Sequence, residues 1–205
     1  SSDFDFGSGD WTIDFQAKFI NTDTTQTVFA AAGGSGYIIN MYPNPSSGYI
    51  NIHNDIQQNY QIRGFLVSLD AWHHIAIVRA DTKLYVFIDG VLINQGGTAS
   101  SGTWNTGGLG VEIGKYAAGS APFKGWLDEF RVSKGIARWT SNFTPPSQEY
   151  EYTEEDANTK LLLHFNGTRY EEQWTDYTAD DKGTADRDDD TTTAATWDAP
   201  PDSRT

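Results

Sequence analysis

An all-β fold, a sandwich of packed β-sheets, follows from three observations in this chain of 205 residues. The segment 11–19 alternates without a break, apolar at odd positions and polar at even ones, as a strand with one face on a core does. Two apolar runs, 83–88 and 91–94, flank Asp89-Gly90, a dipeptide suited to a tight hairpin because both residues accept positive φ. Short strand-like runs then recur along the whole chain, separated by turns that use many of its 20 glycines.

Taken in order, residues 3–10 are turn chemistry, with Gly7 and Gly9 able to adopt positive φ. Strands are predicted at 11–19, 27–31, 37–41, 49–53 and 61–66. The strand 72–80 sets Trp72, His74, Ala76 and Val78 on one face and His73, Ile75, Ile77 and Arg79 on the other. The hairpin 83–94 follows, then strands at 111–116 and 123–132. In the last of these, Trp126, Asp128, Phe130 and Val132 alternate against Leu127, Glu129 and Arg131. Residues 133–139 read as one short, basic helical turn. Residues 161–165 read as a further strand.

Composition narrows the class. Seven Trp and ten Tyr, within an aromatic fraction of 14%, can fill a sandwich core or line a sugar site. No cysteine is present, so neither disulfides nor thiol chemistry are available. A core of this size needs no such staple, which keeps an extracellular location open. No apolar run reaches membrane-spanning length, so membrane insertion is not expected, and residues 1–20 carry no basic-then-apolar signal pattern. The net charge of −14 opposes nucleic-acid binding, which needs a basic face. That charge is uneven: residues 1–147 carry 12 acids and 9 bases, residues 148–205 carry 16 acids and 5 bases. The expected organisation is a nearly neutral sandwich over 1–147 and an acidic C-terminal segment, a solvated strap, over 148–205.

Four motifs lie in order along 3–147. They are Asp5-Phe6-Gly7-Ser8-Gly9-Asp10-Trp11-Thr12-Ile13-Asp14-Phe15, then Trp72-His73-His74-Ile75-Ala76, then Leu84–Gly90 with its Asp-Gly turn, and Phe123–Val132 with Gly125-Trp126-Leu127-Asp128-Glu129-Phe130-Arg131-Val132. Together they resemble the laminin-G-like, concanavalin A-like lectin/glucanase sandwich, and that resemblance implies an antiparallel two-sheet jelly roll. One departure is Gln16-Ala17, where that family usually places Trp followed by a small apolar residue. The run Leu161-Leu162-Leu163-His164-Phe165-Asn166-Gly167 resembles a segment of sandwich domains in bacteriophage tail and virion proteins, where it normally opens a domain. Here it comes last. Three explanations stand open: a circular permutation in which 161–165 completes its own sandwich, a strand swapped into a neighbouring subunit, or a piece of a tandem array.

Catalysis is not expected. Glycoside hydrolysis on this fold uses two carboxylates on one strand face, in an E-x-D-x-(x)-E run, and the chain has none. Under strict alternation Asp128 and Glu129 point to opposite faces. Glu154-Glu155-Asp156, Glu171-Glu172 and Asp188-Asp189-Asp190 sit in polar surroundings as solvated runs. His73 and His74 alternate faces too, and His74 reads as a core histidine rather than a ligand. Calcium is a candidate cofactor, because this sandwich class holds it through oxygen ligands near a loop rim. Asp128 leads, since an inward carboxylate needs a partner: a cation, an Arg or backbone N–H groups. Asp3 and Asp5 are candidate co-ligands. For sugar, the loop Ser101-Gly102-Thr103-Trp104-Asn105-Thr106-Gly107-Gly108 offers Trp104 and Asn105, with Tyr42 and Tyr116 as secondary candidates. Trp104 either stacks on a pyranose or caps the sandwich edge.

The resemblance thus implies a non-catalytic module on a virion surface, in a tail fibre or capsid decoration, that binds cell-surface carbohydrate. Other virion subunits and further copies of the chain would be its partners. A purely structural decoration protein and a cellular secreted lectin are the alternatives.

Overall fold

The described residues of the computed structural model are 2–20, 24–31, 38–42, 48–53, 59–63, 67–94, 97–100, 102–106, 110–115, 121–151, 156–166 and 176–178. A 3-10 turn at Ser2–Phe4 precedes the strands. These are β1 (Trp11–Phe19), β2 (Gln26–Ala31), β3 (Ile38–Tyr42), β4 (Tyr49–His53), β5 (Asn59–Arg63), β6 (Trp72–Ala80), β7 (Lys83–Ile88), β8 (Val91–Leu92), β9 (Thr98–Ala99), β10 (Val111–Ile113), β11 (Gly125–Lys134), β12 (Thr159–Leu163) and β13 (Asp176–Thr178). An eight-stranded sheet runs β13-β12-β11-β1-β6-β7-β8, with β9 also paired to β7, and a five-stranded sheet runs β10-β2-β3-β4-β5.

The alternation of β1 decides where the core lies. Trp11, Ile13, Phe15, Ala17 and Phe19 are all fully buried and face Phe29, Ile39, Met41, Ile50 and Ile52 of the smaller sheet. An aromatic column spans the gap between the sheets: Phe15 stacks on Phe130 at 5.2 Å and Phe130 on Phe29 at 5.9 Å. Each such ring, taken out of water, contributes about 1.5–3 kcal/mol.

The expected hairpin forms, with Asp89 at φ 50° and Gly90 at φ 75°. Asp89 also ties it to β6, accepting from the His74 N–H at 2.9 Å and meeting His73 Nδ1 at 2.7 Å. Gly90 is obligatory for a second reason: a Cβ there would lie 2.0 Å from the Phe143 carbonyl oxygen.

Three features differ from the sequence expectations or resolve them. The helical turn at 133–139 does not form. β11 runs on to Lys134, Gly135 turns the chain at φ 82°, and residues 136–139 are irregular. Thr12 holds this segment from β1: its hydroxyl donates to the Ile136 carbonyl and accepts from the Arg138 N–H, both at 3.0 Å. Second, β11 carries a bulge. Asp14 pairs with Arg131 but Gln16 with Asp128, so Glu129 and Phe130 together oppose Phe15, and Glu129 has φ 50°. The bulge inverts the alternation, so Leu127 packs towards the core, as do Phe130 and Val132 beyond it. Third, the strand expected at 161–165 lies two residues earlier, as β12, and it pairs antiparallel with β11 of the same chain, Leu162 opposite Arg131.

A further layer covers the outer face of the eight-stranded sheet. Residues 135–151 cross it, with Trp139 and Phe143 stacked at 4.0 Å and Phe143 packed edge-on to Phe87. Beneath them lies a buried polar network. Arg131 donates twice to Asp14, at 3.0 and 2.8 Å, and its guanidinium lies 4.1 Å from the Tyr150 ring. His74 Nε2 meets the Tyr150 hydroxyl at 2.9 Å, and Trp139 and Phe143, of the covering strap 135–151, both pack edge-on to the imidazole. Burial alone would raise the Asp14 pKa, but the adjacent Arg131 guanidinium and His74 hold it below the usual carboxylate value. Burial, with Asp14 close by, pushes the Tyr150 hydroxyl well up.

Candidate functional site

The loop around Trp104 is built into the sandwich. Trp104 N–H donates to the Gly7 carbonyl at 2.9 Å, Phe6 N–H donates to the Trp104 carbonyl at 2.7 Å, and Asn105 Oδ1 accepts from Gly7 N–H at 3.2 Å. The Trp104 ring is 0% exposed, edge-on to Trp11 at 5.1 Å and stacked with Tyr60 at 6.0 Å. It presents no face on which a sugar could stack, so of its two readings the placement is that of a ring closing the sandwich edge. Its environment explains the glycine-rich turn before β1. Arg79 donates to the carbonyls of Ser8 and Gly9 and so fixes the turn that pairs with Trp104.

The three candidate calcium ligands do not converge. Asp5 Oδ1 accepts from the N–H and the hydroxyl of Thr106, at 2.6 and 2.8 Å. Asp128 Oδ1 accepts from the N–H of its neighbour Glu129 at 2.8 Å. The bulge sets Asp128 with the outward residues of β1, opposite Gln16, rather than on the face of Phe130. Asp3 lies in the turn whose Ser2 carbonyl receives Nζ of Lys134, the last residue of β11 and six residues along from Asp128, and the three carboxylates do not fall within one cluster of metal-ligating atoms. Tyr116 is outside the described residues. Tyr42 ends β3 opposite Tyr49.

A different set does converge, on the outer face of the five-stranded sheet. Ile39, Met41, Ile50, Ile52 and Ile62 point inward, which turns the residues between them outward. The register then aligns Thr27 with Asn40, Asn40 with Asn51, and Asn51 with Gln61, one residue from each of β2, β3, β4 and β5. The row crosses three strand spacings, about 14 Å. Thr27 Oγ1 donates to Asn40 Oδ1 at 2.9 Å, and Gln61 Nε2 donates to Asn51 Oδ1 at 3.2 Å. These bonds orient the amides and leave the NH2 groups of Asn40 and Asn51 outside them. Thr27 is buried, Asn40 and Asn51 are half-buried and Gln61 is exposed. On β4, Tyr49 and His53 flank Asn51 on the same face, and burial pushes the His53 pKa down, which favours the neutral ring.

An amide both donates and accepts, as a sugar hydroxyl does. A row of fixed, uncharged amides beside a half-exposed ring suits a neutral polyhydroxylated chain better than an ion. The sequence held a partial signal: an amide recurs at an outward position of three short strands, Asn40, Asn51 and Gln61. Their alignment depends on interstrand register, which the sequence reading did not address.

A family model described as the Concanavalin A-like lectin/glucanases superfamily, Laminin_G_3, matches residues 1–140. Among solved structures, a Bacteroides ovatus protein described as carbohydrate-binding is similar at 16% identity and a TM-score of 0.60, covering 85% of this chain and 50% of its own. The chain therefore spans half the length of that protein. Domain 4 of AbnA, an extracellular arabinanase from Geobacillus stearothermophilus solved with arabinotriose, is similar at 21% identity and a TM-score of 0.51, covering 64% of this chain and 63% of its own. A tailspike protein from an Escherichia coli O157:H7 bacteriophage is more loosely alike, at 14% identity and a TM-score of 0.45, covering 66% of this chain and 21% of its own. Comparison with curated proteins gives no match.

Proposed function

The chain belongs to the concanavalin A-like lectin/glucanases superfamily, and we propose that it is a non-catalytic carbohydrate-binding module of a virion surface, in a tail fibre or capsid decoration. The observation that carries the binding role is the outward row Asn40–Asn51–Gln61 beside Tyr49, an aligned and uncharged hydrogen-bonding surface. Glycoside hydrolysis needs a pair of carboxylates at the scissile bond, and among the described residues that row holds amides instead. The module would hold sugar rather than cleave it. The virion setting is supported by the resemblance of the 161–167 run to tail and virion domains. Its partners on this reading are cell-surface glycan, other virion subunits and further copies of itself, outside the cell.

A purely structural decoration role is favoured by one observation, the 16 acids against 5 bases in residues 148–205, a charge suited to a basic neighbour. A glycan array of the purified chain, run with calcium and again with EDTA, separates the readings. The amide face predicts binding to neutral oligosaccharides that is equal in both conditions. Binding that vanishes with EDTA would move the site to a metal-dependent rim, and no binding in either condition would leave the structural role.

A further inference from the structure

The bulge in β11 turns Glu129 towards the outer side of the eight-stranded sheet, where three metal-ligating side chains meet. His164 Nδ1 lies 3.1 Å from both carboxylate oxygens of Glu129 and 3.5 Å from Glu149 Oε1. One donor atom from each of Glu129, Glu149 and His164 lies within 4.8 Å of the others. We propose that these residues bind a divalent transition-metal ion such as Zn²⁺, with three protein ligands and a fourth position open to solvent. A tetrahedral ion with ligands at about 2.0–2.1 Å separates its donors by roughly 3.3 Å, and two of the three separations here already bracket that value.

Three further features fit an ion. Glu129 is 1% exposed, and among the described residues its ion-pair partner is His164, with no Lys or Arg on it. A buried carboxylate needs such compensation. The Tyr150 N–H donates to Glu129 Oε2 at 2.7 Å, the kind of outer bond that orients a metal-binding carboxylate. Glu149, the outermost of the three, also lines an open surface depression with Gln148, Tyr150 and Glu151, which puts one ligand of the cluster at the solvent boundary. The ligands come from β11, from the strap and from the residue after β12, so the ion would clamp the C-terminal strand to the sandwich. The cluster is on the opposite sheet from the amide row, and its failure leaves the glycan reading untouched.

The test is Zn²⁺ titration of the EDTA-treated full chain by calorimetry, with Co²⁺ as a spectroscopic probe. One equivalent should bind, raise the melting temperature and give the intense visible bands of four-coordinate cobalt. Glu149→Gln, at a half-exposed position, should weaken binding at least tenfold with the apo melting temperature unchanged, and His164→Gln should abolish the cobalt bands. No Zn²⁺ uptake by the wild-type chain would overturn the proposal and leave a His164–carboxylate ion pair. Equal affinity in both variants would overturn it as well.

Discussion

The two outer faces of this sandwich treat polar side chains in opposite ways. Under the strap at 135–151 on the eight-stranded sheet they are sealed. Asp14 and His74 are almost fully buried, Arg131 is clamped between Asp14 and Tyr150, and Trp139 and Phe143 exclude water. On the five-stranded sheet Asn40, Asn51 and Gln61 are aligned but remain open to water. A polar group that is buried must be paired, and removing one partner leaves an uncompensated charge. A polar group that is ordered yet open costs little to keep and is ready for a ligand. On the proposed function, the first face serves stability and the second recognition.

Breaking the sealed face should give the largest effect. Arg131→Met takes the two-bond guanidinium partner from the buried Asp14 carboxylate and leaves it His74, at 3.5 Å, as its ion-pair partner, and should cost about 3 kcal/mol of unfolding free energy in denaturant melts. Phe143→Ala removes a half-buried ring from the strap. It should cost about 2 kcal/mol, less than the roughly 3–5 of a fully buried Phe. Folded Phe143→Ala protein should keep its glycan binding.

Acid should act on the same face. The folded Asp14 pKa is lowered, so its contribution is complete above the unfolded value near 3.8. It is lost as pH falls through the lower folded value. Asp156, held down by its bonds to Arg138 and Thr159 against the opposing effect of burial, behaves alike. The denaturant midpoint should therefore fall steeply below about pH 4, and part of that slope should vanish in Asp14→Asn. A midpoint that stays flat from pH 5 to pH 3 would contradict this reading.

The open face should show the smallest stability effect and a clear functional one. Asn51→Ala should change stability by less than about 0.5 kcal/mol. Loss of one neutral hydrogen bond, about 0.5–1.5 kcal/mol, should weaken glycan binding roughly 2- to 12-fold.

The sealed and open faces were unequally legible in the sequence. The strict alternation of Trp11 to Phe19 and the Asp89-Gly90 turn are local signals, and both elements formed where expected. The outward turn of Asp128 was not legible, because a bulge is an interstrand fact: it needs Phe15 as the partner that one residue too many must oppose. Strict alternation thus misplaced Asp128. The segment after Lys134 has helix-compatible residues, but a hydroxyl 124 residues away in sequence, on Thr12, takes its backbone groups. Trp104 shows the same limit. Its Gly-, Ser- and Asn-rich neighbours read as a surface loop, yet pairing with Gly7 draws the ring into the core. The amide row was only partly legible for a related reason: the recurring outward amides are visible strand by strand, but their alignment exists only once four strands are set side by side.

The most direct test of the division between the faces is an amide-resolved NMR titration of the chain with an oligosaccharide taken from the array. The account predicts shift changes confined to β3, β4 and β5, including the side-chain NH2 groups of Asn40, Asn51 and Gln61. Changes centred instead on β11, β12 and the strap at 135–151, or on residues 102–106, would contradict it.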